Sequence, residues 1–330
     1  MSEQTQQYES ILASGIRDFV KYKRALGCRY DGDEKKLILL DRYLVEQGVS
    51  KLDDITPDVL DRFMSSRVRA PSSFNNLLST VRQLFNWLVL HERIGTSPLR
   101  VESKRCGPRL RPFLFDKIQA RYLIDAAKNL PDTSNARMRG EIYSTIFALL
   151  YALGLRVSEA TRLRGSDIDF EHKLLVIRQT KFDKNRLVPF GPRVESKLYQ
   201  FLQQRERQLG RLETDHAVFT FSKGSQCSIH STTVSWVFHK LVIDLGLKAA
   251  PGETEPHLHC LRHSFAVATL LRWYREGIDP AERLLYLSTF LGHVSPASTA
   301  VYLTITDELL QAASQRYESF VAPVLEEAKL

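Results

Sequence analysis

Four short segments of this 330-residue chain carry polar or charged side chains where the surrounding pattern is apolar. The first is Gly154-Leu155-Arg156-Val157-Ser158-Glu159. Gly154 can close one helix there and Arg156 opens the next. A guanidinium offers paired N–H donors to an oxyanion, although taken alone Arg156 reads as a structural partner of Glu159. The second is Lys181, beside Lys184 and Arg186, which by itself reads as a solvated loop lysine. The third is His257-Leu258-His259-Cys260-Leu261-Arg262-His263, at the start of an apolar run. His259 and Arg262 are three apart, so they share a helical face and can converge on one anion, whereas His257 and His263 fall elsewhere. The fourth is Leu291-Gly292-His293, followed by Tyr302. A tyrosine in that context is ordinarily a packed residue with its hydroxyl at the surface. Three histidines in seven residues also raise a zinc site, but a closed one needs a fourth ligand, and neither paired cysteines nor an HExxH pattern supplies it.

The elements that must position these groups are mostly helical. Residues 8–92 read as four helical segments, with apolar positions recurring at three and four, as in Leu37, Leu40, Tyr43 and Leu44. Thr56-Pro57 starts the third and Pro71-Ser72-Ser73 the fourth. Residues 100–111 lose this pattern and hold Arg100, Lys104, Arg105, Arg109 and Arg111 against one acid, Glu102. That is a basic linker, either a solvated connector or a strap that tracks phosphates. Beyond Pro112 a longer, mostly helical unit follows, with residues 142–153 as its central core helix. Residues 174–177 and 186–189 are β-type runs flanking a polar hairpin tip at 181–185. Helical patterns resume over 194–209, 231–245, 261–273 and 284–291. Two domains are expected at this length, and the fold class is mainly α with a small β-hairpin or sheet.

Composition sets limits on function. With 43% hydrophobic and 25% charged residues the chain can bury an ordinary core, and 46 Lys+Arg against 38 Asp+Glu leave a net charge of +8. The positive excess is spread over both parts and suits a polyanionic partner. Cys28, Cys106, Cys227 and Cys260 show no CxxC spacing, so reduced thiols are expected rather than a disulfide framework. No stretch approaches the roughly 20 apolar residues of a membrane span, and MSEQTQQYES lacks the segments of a signal peptide. A cytoplasmic protein is expected.

Taken in order, Arg156 in GLRVSE, Lys181 before a strand ending in LVPF, His259 and Arg262 in HLHCLRHSFA, and LGH at 291–293 with Tyr302 closely resemble the tyrosine recombinase family. That family includes phage integrases, Xer-type resolvases and transposon integrases. The resemblance spans the whole chain and implies a helical core-binding, DNA-binding domain with a basic linker over 1–107. A mixed, mostly helical catalytic domain follows over 108–330, with a C-terminal tail (Leu309, Leu310, Phe320, Val321, Val324) that docks on a neighbouring protomer. It implies that Arg156 and Arg262 grip the scissile phosphate and that His293 adds a third donor. Lys181 protonates the leaving 5′ oxygen, His259 manages the nucleophile's proton, and Tyr302 is the nucleophile. It further implies no metal and no nucleotide cofactor. The expected partner is double-stranded DNA with specific recombination sites, bound by a homotetramer that can be monomeric without DNA, with helper recombinases in some systems. Lys104, Arg105, Arg109 and Arg111 are the candidate phosphate contacts, and the two domains are expected to clamp the duplex.

The chemistry fits those residue types. Attack on a phosphodiester concentrates negative charge on the non-bridging oxygens, which two guanidiniums stabilise without a metal. A phenol titrates near pH 10, so it needs neighbouring cations and a base to attack at neutral pH. A general acid at the alkoxide typically contributes ~10²–10⁴-fold. One departure is the segment between Arg262 and His293, which looks longer than in compact Xer-type members, so a loop insertion is expected before LGH. The alternatives are a type IB topoisomerase-like nicking and religating enzyme, a DNA-binding relative that does not cut, and a helical metalloprotein built on His257, His259 and His263.

Overall fold

The computed structural model describes residues 8–108, 110–178, 185–222, 227–293, 295–304, 311 and 314. The chain forms two compact units, Met1–Arg109 and Leu110–Leu330. Among the described residues no helix is long and apolar enough to cross a membrane.

The first unit is built from α1 (Ala13–Ala25), α2 (Asp31–Glu46), α3 (Pro57–Ser65) and α4 (Pro71–Leu90), the four helices expected from the periodicity. Pro57 and Pro71 occupy first-turn positions, where a missing N–H costs nothing. Ile16, Leu37, Leu40, Leu60, Val81 and Leu84 are fully buried between them. Asp41, on α2 and 3% exposed, takes hydrogen bonds from the Glu9 and Ser10 amides and the Ser10 hydroxyl, which ties the entry of α1 to α2. The basic linker does not leave this unit as a free strand. Lys104 Nζ lies 4.1 Å from the centroid of the Phe74 ring, and its backbone exchanges two 2.8 Å hydrogen bonds with the Asn75 side chain.

In the second unit α5 (Lys117–Lys128) begins at a capping box of Asp116 and Gln119 and packs on α6 (Arg139–Leu153). The apolar run of α6 buries Ile142, Ile146, Phe147 and Leu150 at 0–1% exposure, so it is the core helix that its composition predicts. After α7 (Val157–Thr161) come three antiparallel strands in the order β1 (Ile168–Asp169), β2 (Leu174–Ile177), β3 (Arg186–Pro189). Their register pairs Ile168 with Leu175, Leu175 with Val188 and Ile177 with Arg186. The two-residue β1 is too short for any alternation to mark it in the sequence. Helices α8 (Pro192–Leu209), α9 (Ser231–Asp244), α10 (Leu258–Arg275), α11 (Pro280–Leu291) and α12 (Ala297–Ala300) follow, and α12 runs into a 3-10 turn, Val301–Thr304.

The segment between Arg262 and His293, where a loop insertion is expected, is mostly helical. Helix α10 extends to Arg275, only residues 276–279 turn, and α11 starts four residues earlier than the periodicity suggests. Asp279-Pro280 reads as a turn in sequence but acts as a helix start, with the Asp279 carboxylate accepting the Ala281 amide at 2.8 Å.

Candidate active site

The left-handed Gly154 (φ +59) ends α6, and Arg156 is the N-cap of α7. One turn on, the Glu159 carboxylate sits 1% exposed and accepts the Arg156 amide at 2.8 Å and Arg156 Nη1 at 2.7 Å. Arg186, the first residue of β3, closes on the same carboxylate from the other side, Nη1 to Oε1 at 2.7 Å and Nη2 to Oε2 at 2.8 Å. Burial pushes the Glu159 carboxyl upward, but Arg186 and then Arg156 outweigh it and hold the group at about 2.

A second anchor takes in Arg262 as well as Arg156 and Arg186. Three consecutive carbonyls at the end of α11 each accept a different guanidinium: Phe290 O from Arg186 Nε at 2.9 Å, Leu291 O from Arg262 Nη2 at 2.6 Å, and Gly292 O from Arg156 Nη2 at 2.9 Å. The last carbonyls of a helix lack intrahelical partners and carry the negative end of its dipole, so they are natural seats for cations. Gly292 is left-handed (φ +67), and a Cβ there would meet Arg186 Nη1 at 2.9 Å. Arg262, 1% exposed on α10, also donates from Nη1 to Gly154 O at 2.6 Å, while its buried Nε has no hydrogen-bond partner among the described residues. Burial, followed by the nearby Arg156, pulls its guanidinium down to about 9, so it stays charged at neutral pH.

The phenol lies against this turn. Tyr302 is 4% exposed among Ala266, Val267, Leu270, Leu287 and Leu291. Its hydroxyl is 2.7 Å from His263 Nδ1, and its ring lies near-parallel to the His293 ring at 6.4 Å between centroids. His293 Nδ1 contacts Thr299 Oγ1 at 2.7 Å. His259 and His263, one turn apart on α10, pack edge to face at 4.6 Å. Burial, then Arg262 and Arg156, hold His293 at about 4. His259 is pulled to about 4 by the same first two causes, with His257 next, although part of the residue stays exposed. Both rings are neutral at pH 7. Arg156 and His259 face a cleft of about 550 Å³ whose lining includes Ser158, Ser235, His239 and His257.

Five of the six residues singled out from sequence, Arg156, His259, Arg262, His293 and Tyr302, therefore meet around the ends of α6, α10 and α11. Lys181 and Arg109 lie outside the described residues, as do Leu309, Leu310, Phe320, Val321 and Val324 of the tail. Lys104 and Arg105 belong to the helical unit, and Arg111 pairs through its backbone with Gly252 and Thr254. Spacing placed His263 elsewhere, yet it is four residues after His259, a step that also shares a helical face. The Arg186 contact was not legible, because a strand residue gives no signal of its partner on a distant turn. Among the described residues no group of three or more His, Cys, Asp or Glu could hold a metal ion, and His257 instead contacts Cys260 Sγ at 3.1 Å.

Residues 114–308 match the phage integrase family, and residues 34–92 match the family's N-terminal SAM-like domain. The chain belongs to the phage integrase family. It is thus a tyrosine-type site-specific recombinase, an enzyme that cleaves and rejoins DNA. Tyrosine recombinase XerD of Shewanella oneidensis is 31% identical over 282 residues, covering 84% of this chain and 86% of its own. Tyrosine recombinase XerC of Pediococcus pentosaceus is 28% identical over 293 residues, 87% and 85% of the two chains. Among solved structures, the Tn1549 transposon integrase in complex with a circular intermediate DNA shares the fold of the recombinase, with a TM-score of 0.63 over 92% of this chain and 99% of its own at 17% identity.

Proposed function

We propose that the recombinase cuts one strand of duplex DNA at a specific site by attack of the Tyr302 hydroxyl on a phosphodiester. The attack leaves a 3′-phosphotyrosyl link that a second 5′ hydroxyl later resolves. Arg156 and Arg262 grip the non-bridging oxygens, His293 adds a neutral ring N–H, and Lys181 protonates the leaving 5′ oxygen. His259 lines the pocket beside Arg156. Retaining the bond energy in the phosphotyrosine makes rejoining independent of ATP.

The observation that carries this reading is the seating of Arg156 and Arg262 on adjacent carbonyls of the turn that also leads to His293 and Tyr302. Guanidiniums fixed before substrate arrives need no reorganisation as charge develops, and losing one such donor typically costs ~10²–10³-fold in rate. The helical unit acts as the core-binding domain, with Lys104, Arg105 and Arg109, together with Arg111 of the second unit, contacting phosphates. The active species is a homotetramer on two recombination sites, linked through the C-terminal tail and working in the cytoplasm.

The test is cleavage of a nicked duplex that traps the covalent product. Wild-type protein accumulates an adduct, Arg262→Gln lowers its rate at least ~100-fold, and Tyr302→Phe forms none. Adducts formed by Tyr302→Phe, or plasmid relaxation with no site preference, contradict the reading.

A further inference from the structure

His263, which neither the sequence pattern nor the expected division of roles assigns to catalysis, is in contact with the attacking oxygen. Its Nδ1 lies 2.7 Å from Tyr302 Oη, within the range at which a base takes a proton directly. The ring is held for that contact. His263 stands one turn beyond His259 on α10, whose edge-to-face packing at 4.6 Å sets its plane, and a second edge-to-face contact with His257 at 6.4 Å flanks it. Arg262, the next residue back, is locked to Gly154 O and Leu291 O, so the stretch of α10 that carries His263 is pinned to the turn that carries the phosphate-gripping groups. Among the described residues, the charged and titratable groups recorded around this ring are His257, His259, Arg262, His293 and Tyr302.

We propose that His263 is the general base for the Tyr302 nucleophile, an inference that rests on Tyr302 being that nucleophile. A phenol near pH 10 holds its proton at neutral pH, so Oη–H donates to an unprotonated Nδ1 and the imidazole's own proton sits on Nε2. In the cleavage step the Oη–H bond breaks and an Nδ1–H bond forms. The Oη–P bond forms as the P–O5′ bond breaks, and the 5′ oxygen takes a proton from the general acid. In rejoining, a 5′ hydroxyl returns its proton to the conjugate base of that general acid as the new P–O5′ bond forms, the Oη–P bond breaks, and the proton on His263 goes back to Oη. His259, with its ring against His263 and its edge open to the cleft, then serves the substrate side rather than the phenol.

A buried tyrosine hydroxyl also gains from any hydrogen-bond partner, so the test must separate holding the phenol from taking its proton. Asparagine places a side-chain amide near the position of Nδ1 and accepts a hydrogen bond but takes no proton. His263→Asn, His263→Phe, Lys181→Ala and Tyr302→Phe are compared with wild type on two nicked duplexes. One has the ordinary scissile phosphate and the other has sulfur in place of its 5′-bridging oxygen, a leaving group that needs no acid. Thermal unfolding and DNA binding are measured on each variant.

His263→Asn, folded and binding DNA like wild type, is expected to form adduct ~10²–10⁴-fold more slowly, with no recovery on the sulfur substrate, whereas Lys181→Ala recovers. Wild-type rates for His263→Asn, or recovery of that variant on the sulfur substrate, overturn the assignment. If His263→Phe fails to fold, the Asn variant decides alone. Adduct formation by Tyr302→Phe would instead sink the nucleophile reading, a separate outcome.

Discussion

Arg186 and Glu159, 27 residues apart in the chain, face each other through two parallel hydrogen bonds of 2.7 and 2.8 Å, with their side chains 9% and 1% exposed. The pair joins the first residue of β3 to α7, and Glu159 passes the constraint to Arg156. Removing one partner of a buried pair typically costs about 3–5 kcal/mol, because the other charge is left uncompensated. Here Arg156 remains to share the carboxylate, so Arg186→Met is expected to lower the unfolding free energy by about 3 kcal/mol, read by urea denaturation. The pH dependence follows from Glu159, held at about 2 against an ordinary 4.5. The unfolded chain takes up its proton first on acidification. The stabilisation is therefore complete above about pH 4.5 and is lost as pH falls through about 2. Glu159→Gln should remove that part of the acid slope.

The histidines act in a higher window. His293 and the more exposed His259 are held at about 4 against 6.5, so their contribution is present above pH 6.5 and declines as pH falls toward 4. A bound phosphate offsets the arginines that depress them and favours the charged rings. DNA binding at pH 5.5 should take up protons, seen by calorimetry as a binding enthalpy that depends on the ionisation enthalpy of the buffer. His293→Gln should reduce that dependence.

Gly292 combines a left-handed backbone with a Cβ direction occupied by Arg186. Gly292→Ala costs about 1–2 kcal/mol for the backbone alone and displaces the Arg186 guanidinium. Since Gly292 O also seats Arg156, trapped cleavage should slow more than DNA affinity weakens. Equal losses in both would count against a positioning role for this turn.

Most of the architecture is legible in the sequence because periodicity reports burial. The four helices of the first unit, α6 and the strand pair β2–β3 all follow from apolar spacing with Pro and Gly punctuation. The site was legible only as separate short segments, since contact between Arg156, Arg262 and Tyr302 depends on chain crossings that spacing does not encode. Arg186 and His263 were missed for different reasons. Arg186 acts through a turn more than 100 residues away, its Nε bond to Phe290 O spanning 104 positions, whereas the four-residue step from His259 to His263 competes on equal terms with the three-residue step to Arg262, so spacing alone does not choose between them. In the segment before His293, charged residues and Asp279-Pro280 hide the first turn of α11 from the apolar periodicity.

The linker gives a prediction independent of the chemistry. Arg105 is exposed beside Lys104, which is docked on Phe74. Arg105→Gln is expected to weaken DNA binding equally across sequences and to lower the slope of log affinity against log salt by about 1. Lys104→Gln should also destabilise the helical unit, because its stem and charge pack on an aromatic face. A salt slope unchanged by Arg105→Gln would remove that residue from the phosphate contacts.

The most direct test is to digest the trapped protein–DNA adduct with protease and identify by mass spectrometry the side chain that carries the DNA. A 3′-phosphoryl link to the oxygen of Tyr302, in a peptide containing Val301-Tyr302-Leu303, is the expected result. DNA attached to any other residue would contradict it.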